Sequence, residues 1–408
     1  MDQSVSFMPK IFCEPVENGR FKKNYHLYIH IPFCKRKCTY CGININTSFE
    51  DFDLYVSALE KELVMIYEQN ICIQEFQSIH IGGGTPSLMT LHQMKGFFGM
   101  LNRLIKNFED IEKVIESNPE SLSDEKIKYL SSINNVTLSI GIQSLNSKVL
   151  HSTCRMIDEN EVINILKKVK IRPFLGVGAD VICGLPFSTK EIFLSDISRL
   201  VTLGIDHLSI YPLWIEKESI LGKNYEKYKE QLMNDNQKEQ CLVDAQKVLF
   251  ENGYKKKSVY HYCKENKKLF IYGNSQILGD EWIGIGASAI SFFNNTKVEN
   301  IICHEKYLMA IKDNKLPILN QYKYSFTEIL INKFAYAIRN PVIIIDEEKK
   351  QLGEIGFKLF TKFINKLKNM DFVKETNLGW EITNKGTINI GMIDGIFIKN
   401  ILMEDTYE

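Results

Sequence analysis

The stretch YIHIPFCKRKCTYCGININ, residues 28–46, joins an apolar run to three cysteines in one tight loop. HLYIHIPF (26–33) is rich in β-branched and aromatic residues and predicts a strand. Cys34, Cys38 and Cys41 follow at C-x3-C-x2-C spacing. A structural zinc site takes four ligands, usually as two separated pairs. The next cysteine, Cys72, lies past a long predicted helix. A cuboidal iron–sulfur cluster is normally tied by one thiolate per iron, so three thiolates leave one iron open. The loop alone leaves two readings: a zinc site completed by His30 or a distant cysteine, and an iron–sulfur site with an open position. Lys35, Arg36 and Lys37 add positive charge between the thiols, which favours thiolates.

Outward from this loop, the pattern alternates over residues 25–213. FDLYVSALEKELVMIYEQ has helical spacing, with Leu54, Ala58, Leu59, Leu63 and Ile66 on one face. QSIHIGG predicts a strand and LHQMKGFFGMLNRLIKNF a helix. EKVIESN, VTLSIGIQS, GVGADVICGLP and HLSIYPL predict further strands, separated by helices. Six β-then-α repeats imply a parallel sheet with crossover helices. In such folds functional groups collect at the C-terminal ends of the strands. The unusual segments PFCKRKCTYC, GGGTPS, ESNPES, GIQS and GLP fall at those ends.

The division expected is an N-terminal segment (1–24), a core (25–215), an irregular connecting region (216–324) and a small separate domain (325–408). In the last, helical FKLFTKFINKLKNM precedes DFVKETNLGWEITNKG, which predicts two strands turning at Asn377-Leu378-Gly379. Helix followed by hairpin suggests a winged helix, with a lid or packing role. The chain holds 50 basic and 50 acidic residues, which argues against a nucleic-acid partner. No apolar run is long enough to span a bilayer, and the N-terminus is a poor signal peptide. The chain is read as soluble and cytoplasmic. Ten cysteines in 408 residues do not suggest a disulfide scaffold. Cys72 and Cys183 sit in apolar runs and are expected to be buried hydrophobes.

The motifs together resemble the radical S-adenosylmethionine (SAM) superfamily. C-x3-C-x2-C with Tyr40 before the third cysteine carries the superfamily resemblance. YIHIPFC, from Tyr28, narrows it to relatives of the oxygen-independent coproporphyrinogen III oxidase. The resemblance implies a partial (β/α)6 barrel, an α/β fold, with a C-terminal helical and winged-helix-like accessory domain. It implies a [4Fe–4S] cluster on Cys34, Cys38 and Cys41, with one or two SAM molecules. Gly82, Gly83, Gly84 and Thr85 resemble the loop that approaches the methionyl amino group. Glu116 resembles the ribose-binding acid, and Gln143, Arg155 and Asp180 resemble polar residues lining the SAM sites. Tyr28 and Tyr40 complete the cofactor-binding set, and Gly184 to Pro186 resembles the adenine-side loop. His30 and His80 are expected to be packed and hydrogen-bonded instead. Each glycine or carboxylate taken singly has a plainer reading as a turn, ion pair or helix cap.

The reaction implied first is oxidative decarboxylation of a coproporphyrinogen III-like tetrapyrrole, with flavodoxin or ferredoxin as electron donor. A two-SAM radical C-methyltransferase and a heme chaperone are the alternatives. GIGASAIS (284–291) resembles the oxidase segment, where the chaperone branch carries a histidine. Two features depart from the oxidase: Ile43 stands where it has a further cysteine, and little sequence precedes Tyr25.

Overall fold

The computed structural model describes residues 25–69, 75–267 and 280–395. The segment 1–24, Cys72 and residues 396–408 lie outside them.

Six parallel strands follow one another in chain order: β1 (Tyr25–Ile31), β2 (Ser78–Gly83), β3 (Glu112–Ser117), β4 (Val136–Gln143), β5 (Gly176–Cys183) and β6 (His207–Pro212). The crossovers carry α1 (Phe52–Gln69), α2 (Leu91–Leu104), α3 (Asp124–Leu130), α4 (Ser147–Ser152), α5 (Glu159–Lys170) and α6 (Lys190–Thr202). The helices start where side chains satisfy their free N–H groups. Thr90 with Gln93 and Asp158 with Glu161 form capping boxes, and the Ser123 hydroxyl accepts from the Lys126 amide.

The strands alternate in character, and this decides what the barrel encloses. Leu27, Ile29, Ile31, Ile79, Ile81, Leu138, Ile140, Val181 and Leu208 are fully buried in the core beneath the helices. The alternate positions hold His26, Tyr28, His30, Ser78, His80, Glu112, Glu116, Ser139, Asp180, Ser209 and Tyr211. Register brings these side by side: Tyr28 opposite His80, Glu116 opposite Ser139, Asp180 opposite Ser209. The lumen is therefore polar, unlike the bulky branched filling of a closed (β/α)8 barrel.

The described residues of 216–324 are largely regular, which corrects the sequence reading of this region as irregular, while the helix expected there at about Asn236–Asn252 is present. They form α7 (Ile220–Lys223), α8 (Tyr225–Tyr228), α9 (Asp235–Glu251), β7 (Tyr254–Lys256), β8 (His261–Lys264), β9 (Glu281–Ile285), β10 (Ile290–Phe293), β11 (Thr296–Asn300), α10 (His304–Lys312) and β12 (Ile318–Lys323). β9 pairs parallel to β1, whereas β8 pairs antiparallel to β6. One open twelve-stranded sheet results, in the order β12-β11-β10-β9-β1-β2-β3-β4-β5-β6-β8-β7. The strands from β7 to β12 are short, and β7, β8, β11 and β12 mix Lys, Asn and Tyr with their apolar residues, so their patterning is weaker than that of β1–β6.

The remaining elements are α11 (Phe326–Ala337), β13 (Ile343–Ile344), α12 (Ile345–Asn369), β14 (Val373–Thr376), β15 (Gly379–Ile382) and α13 (Asn384–Ile388). Gly353, at φ 68°, breaks α12 into two helices, a conformation glycine adopts without a Cβ clash. Three helical segments and the sheet β13-β15-β14 have the winged-helix arrangement. Phe334, Phe360, Ile364, Leu367 and Trp380 form a separate core; each such burial contributes about 1.5–3 kcal/mol over exposure. Val259, between β7 and β8, inserts into that core, and its amide donates to the Arg339 carbonyl. Among the described residues no helix is long and apolar enough to cross a membrane.

Candidate active site

The cysteine loop leaves β1 at the C-terminal end of the barrel and is pinned at both stems. The Cys34 amide donates to the Asn46 carbonyl at 3.0 Å, and the Asn46 amide to that of Pro32 at 2.6 Å. Its tip is held by the Thr39 carbonyl, which accepts from the Leu221 amide at 2.7 Å. Tyr40 packs its ring beside the cluster of Val149, Leu185, Leu213 and Leu221, and its hydroxyl hydrogen-bonds the Cys38 thiol.

Cys34, Cys38 and Cys41 are all partly buried and free of disulfides. Burial pushes the Cys34 thiol up to about 11, reinforced by Cys38 and Cys41 and opposed by the Thr85 hydroxyl and Arg155. Burial also raises Cys38, again opposed by Arg155. The cation acting on both thiols is Arg155, so the positive charge expected from residues 35–37 is supplied from another loop. A cavity of about 160 Å³ is bordered by Cys34, Cys38, Thr85, Asn118, Glu120 and Arg155.

Three thiols in one loop are the soft donors that an iron–sulfur cluster takes. Among the described residues no three His, Cys, Asp or Glu side chains converge as ligands of a single ion do. The thiolates of a cuboidal cluster bind separate irons and need not converge on one point. Binding iron would expel the protons of the raised Cys34 and Cys38 thiols.

The glycine run sits where three segments of the chain crowd together. A Cβ on Gly82 would strike the Glu116 carboxylate, one on Gly83 the His30 ring, and one on Gly84 the carbonyls of Ile31 and Phe33. The sequence reading assigned these glycines to close approach by a ligand. The structure shows that their missing side chains already admit protein atoms. Thr85, buried, places its hydroxyl 3.5 Å from the Cys34 sulfur and accepts from the Asn118 amide group at 3.4 Å.

Glu116 accepts hydrogen bonds from His80 Nε2 at 2.8 Å and the Gly83 amide at 3.1 Å. Burial works against its charge, but His80, the Gly83 amide and His30 together hold the carboxyl below its usual range. It is walled in by the barrel yet keeps 37% of its side-chain surface accessible. Asp180 accepts from the Ser139 hydroxyl at 2.9 Å. Burial lifts its carboxyl to about 6, against the pull of hydroxyls from Ser209 and Ser139. Tyr28 hydrogen-bonds His30 Nδ1 at 2.9 Å and stacks on His80. Burial holds His30 down at about 4, so it is neutral at physiological pH.

Gln143 ends β4 with φ 68°, at a register shift beside Gly141. Arg155 is only 6% exposed, which removes its reading as a solvated charge. Its guanidinium donates to the Gly141 carbonyl and pairs with Glu120 at 3.3 Å. Gly184, with φ 95°, carries the Lys238 side chain against it, and the Pro186 carbonyl accepts from Ser152. Thus Cys34, Cys38, Thr85 and Arg155 gather around one cavity, whereas Tyr28, Glu116 and Asp180 line the lumen. Sequence reading missed Glu120, Ser139, Ser209 and Tyr211, and set His80 apart. Ser139, Ser209, Tyr211 and His80 share one signal, the polar side of a period-two alternation; Glu120 lies in the turn after β3 and has none. The second glycine run, 284–291, is a packed turn: the Gly286 amide donates to Glu62 and the Ala287 amide to Tyr55.

Residues 28–200 match the family model described as the radical SAM superfamily. The chain is 33% identical to "Heme chaperone HemW" of Buchnera aphidicola subsp. Acyrthosiphon pisum, over 91% of this chain and 98% of that protein. It is 25% identical to an "Oxygen-independent coproporphyrinogen III oxidase" of Synechocystis, over 96% of this chain and 88% of that one. The solved structure of coproporphyrinogen III oxidase (HemN) from Escherichia coli has a TM-score of 0.78, with 22% identity over 93% of this chain and 91% of that one. Likeness at that identity concerns the fold, which is the radical SAM fold expected from the sequence. Membership implies a [4Fe–4S] cluster and SAM as cofactors. The chain belongs to the radical SAM superfamily, in the family that joins oxygen-independent coproporphyrinogen III oxidases with HemW proteins.

Proposed function

We propose that this protein cleaves SAM reductively, with Cys34, Cys38 and Cys41 as the cluster ligands. The observation that carries this reading is the gathering of Cys34, Cys38, Thr85 and Arg155 around one cavity at the barrel mouth, with Cys41 near enough to act on the Cys34 thiol. When bound, the cluster and SAM supply a 5′-deoxyadenosyl radical that abstracts hydrogen from substrate. The chain's own residues orient the parts. Thr85 and Arg155 hold polar groups against the cysteine loop. The ionised Glu116 carboxylate, fixed by His80, accepts hydrogen bonds from sugar hydroxyls. Asp180, steadied by Ser139, and Gln143, turned inward by its bulge, line the same space. Tyr40 and its apolar neighbours keep water from the Cys38 side of the loop.

The proposed reaction is oxidative decarboxylation of a coproporphyrinogen III-like tetrapyrrole. The electron comes from a flavodoxin or ferredoxin, and the protein works in the cytoplasm without a membrane or nucleic-acid partner. A second reading, tetrapyrrole delivery as a heme chaperone, is supported by the near full-length match to a protein of that name.

Anaerobically reconstituted protein, given dithionite, SAM and coproporphyrinogen III, separates the readings. CO2 release with 5′-deoxyadenosine supports the oxidase. Heme bound tightly without turnover of coproporphyrinogen supports the chaperone. S-adenosylhomocysteine as coproduct would identify methyl transfer and overturn both.

A further inference from the structure

Lys35, Arg36 and Lys37 fill the interval between Cys34 and Cys38. Lys35 and Arg36 are exposed, and Lys37 is half-buried. Among the described residues none of the three has an ion pair, hydrogen bond or ring contact. Some cations elsewhere on the surface are matched, as in Lys168 with Asp124, Arg199 with Glu159 and Lys223 with Glu218; what sets these three apart is that they are consecutive and lie between two of the loop's cysteines. The chain as a whole has no net charge, so this knot does not follow from a basic composition. Nor are these the charges that temper the thiols, since Arg155 does so. Lys35 and Arg36, both exposed, also line the cavity that Cys34 and Cys38 border. On the far side of the loop Glu216 packs on Gly42, so the positive surface ends there. A compact spot of this kind suits a cluster of carboxylates and not an extended polyanion.

We infer that Lys35, Arg36 and Lys37 form the docking site of an acidic one-electron carrier protein. This rests on the proposed reading of Cys34, Cys38 and Cys41 as cluster ligands. The carrier is oxidised by one electron and the cluster reduced by one, and no bond forms or breaks in the transfer. Docking on residues interleaved with two of the ligands brings the carrier's redox group close to the cluster. Exposed charges contribute little to static affinity but raise the encounter rate by about 10- to 1000-fold, in a salt-dependent way.

The test compares two electron sources on the reconstituted holoprotein: photoreduced flavodoxin, an acidic carrier, and dithionite. The readout is the rate of 5′-deoxyadenosine formation. In the double variant Lys35→Gln/Arg36→Gln, the apparent KM for flavodoxin should rise about tenfold, a larger factor than any change in the dithionite-driven rate. Lys37→Gln alone should shift it by a smaller factor, and added salt should weaken the wild type toward the variants. Loss of both rates together with iron would make the trio a support of the cluster and overturn the inference. A change confined to the substrate's KM would make it a subsite for substrate carboxylates, with the same consequence. Unchanged flavodoxin kinetics would also refute it. A wild type that carries a full cluster yet forms no 5′-deoxyadenosine with dithionite would instead sink the proposed function itself.

Discussion

Glu116 is the lumen residue whose surroundings constrain it most tightly, because Gly82, Gly83 and His80 all press on its carboxylate. Gly82→Ala should therefore displace that carboxylate without touching the cysteines. We expect SAM affinity to fall at least tenfold while iron content is retained, as measured by equilibrium binding and iron analysis. Glu116→Gln keeps the shape but removes the charge. A hydrogen bond to a charged group is worth about 1.5–3 kcal/mol, so SAM binding should weaken by roughly 10- to 100-fold. Unchanged binding in both variants would remove Glu116 from the SAM site. At this scale the sequence was informative: motif residues drew attention to the cysteines, Thr85, Glu116, Arg155 and Asp180. It was silent on why three glycines stand together, because the atoms that exclude their side chains come from His30, Phe33 and Glu116, distant along the chain. Glu120 was hidden for the same reason, since only folding sets it against Arg155.

At the scale of elements, the strands β1–β6 announce themselves by apolar runs, but their polar alternates were not read as a lumen. HLS and SIG look like breaks in hydrophobicity until register places Asp180 beside Ser209 and Glu116 beside Ser139. The joint between α1 and the β9–β10 turn was likewise invisible. There Glu62, buried, accepts from the Gly286 amide at 2.8 Å, Asn300 at 2.6 Å and the Tyr307 hydroxyl at 2.6 Å. Burial raises its carboxyl from 4.5 to about 7 despite those donors. A raised folded-state value means the native state binds more protons across that window. The stabilisation is complete below about pH 4.5 and is lost as pH rises through about 7. Thermal melts of wild type and Glu62→Gln should show it: the variant's profile should be flatter between those values. Parallel profiles would show that Glu62 does not titrate there. Glu62→Ala, which strands three buried donors, should cost about 3 kcal/mol or more.

For the whole molecule, the accessory domain is docked and not tethered. Val259 reaches from the barrel sheet into its core, and Trp214, just past β6, lies against Gly391. Val259→Asp would bury a charge among Phe334, Phe360 and Leu367. Calorimetry should then resolve a separate, earlier transition for the accessory domain, with the cluster still bound by the barrel. A single unshifted transition would show that Val259 does not couple the two. The twelve-stranded sheet was not legible in the sequence, because β9 joins β1 and β8 joins β6 across long separations by short strands with weak patterning. The winged helix was legible, because its long helix and hairpin are local.

The central claim is that the three-cysteine loop, completed by SAM, makes this chain a reductive SAM-cleaving protein. Its most direct measurement is 5′-deoxyadenosine formation by anaerobically reconstituted protein with dithionite and SAM, beside Cys38→Ala. The account predicts about four irons per wild-type chain, stoichiometric or greater 5′-deoxyadenosine, and neither a full cluster nor product in the variant. Protein that takes up zinc alone, or a Cys38→Ala variant that keeps its cluster and cleaves SAM, would contradict it.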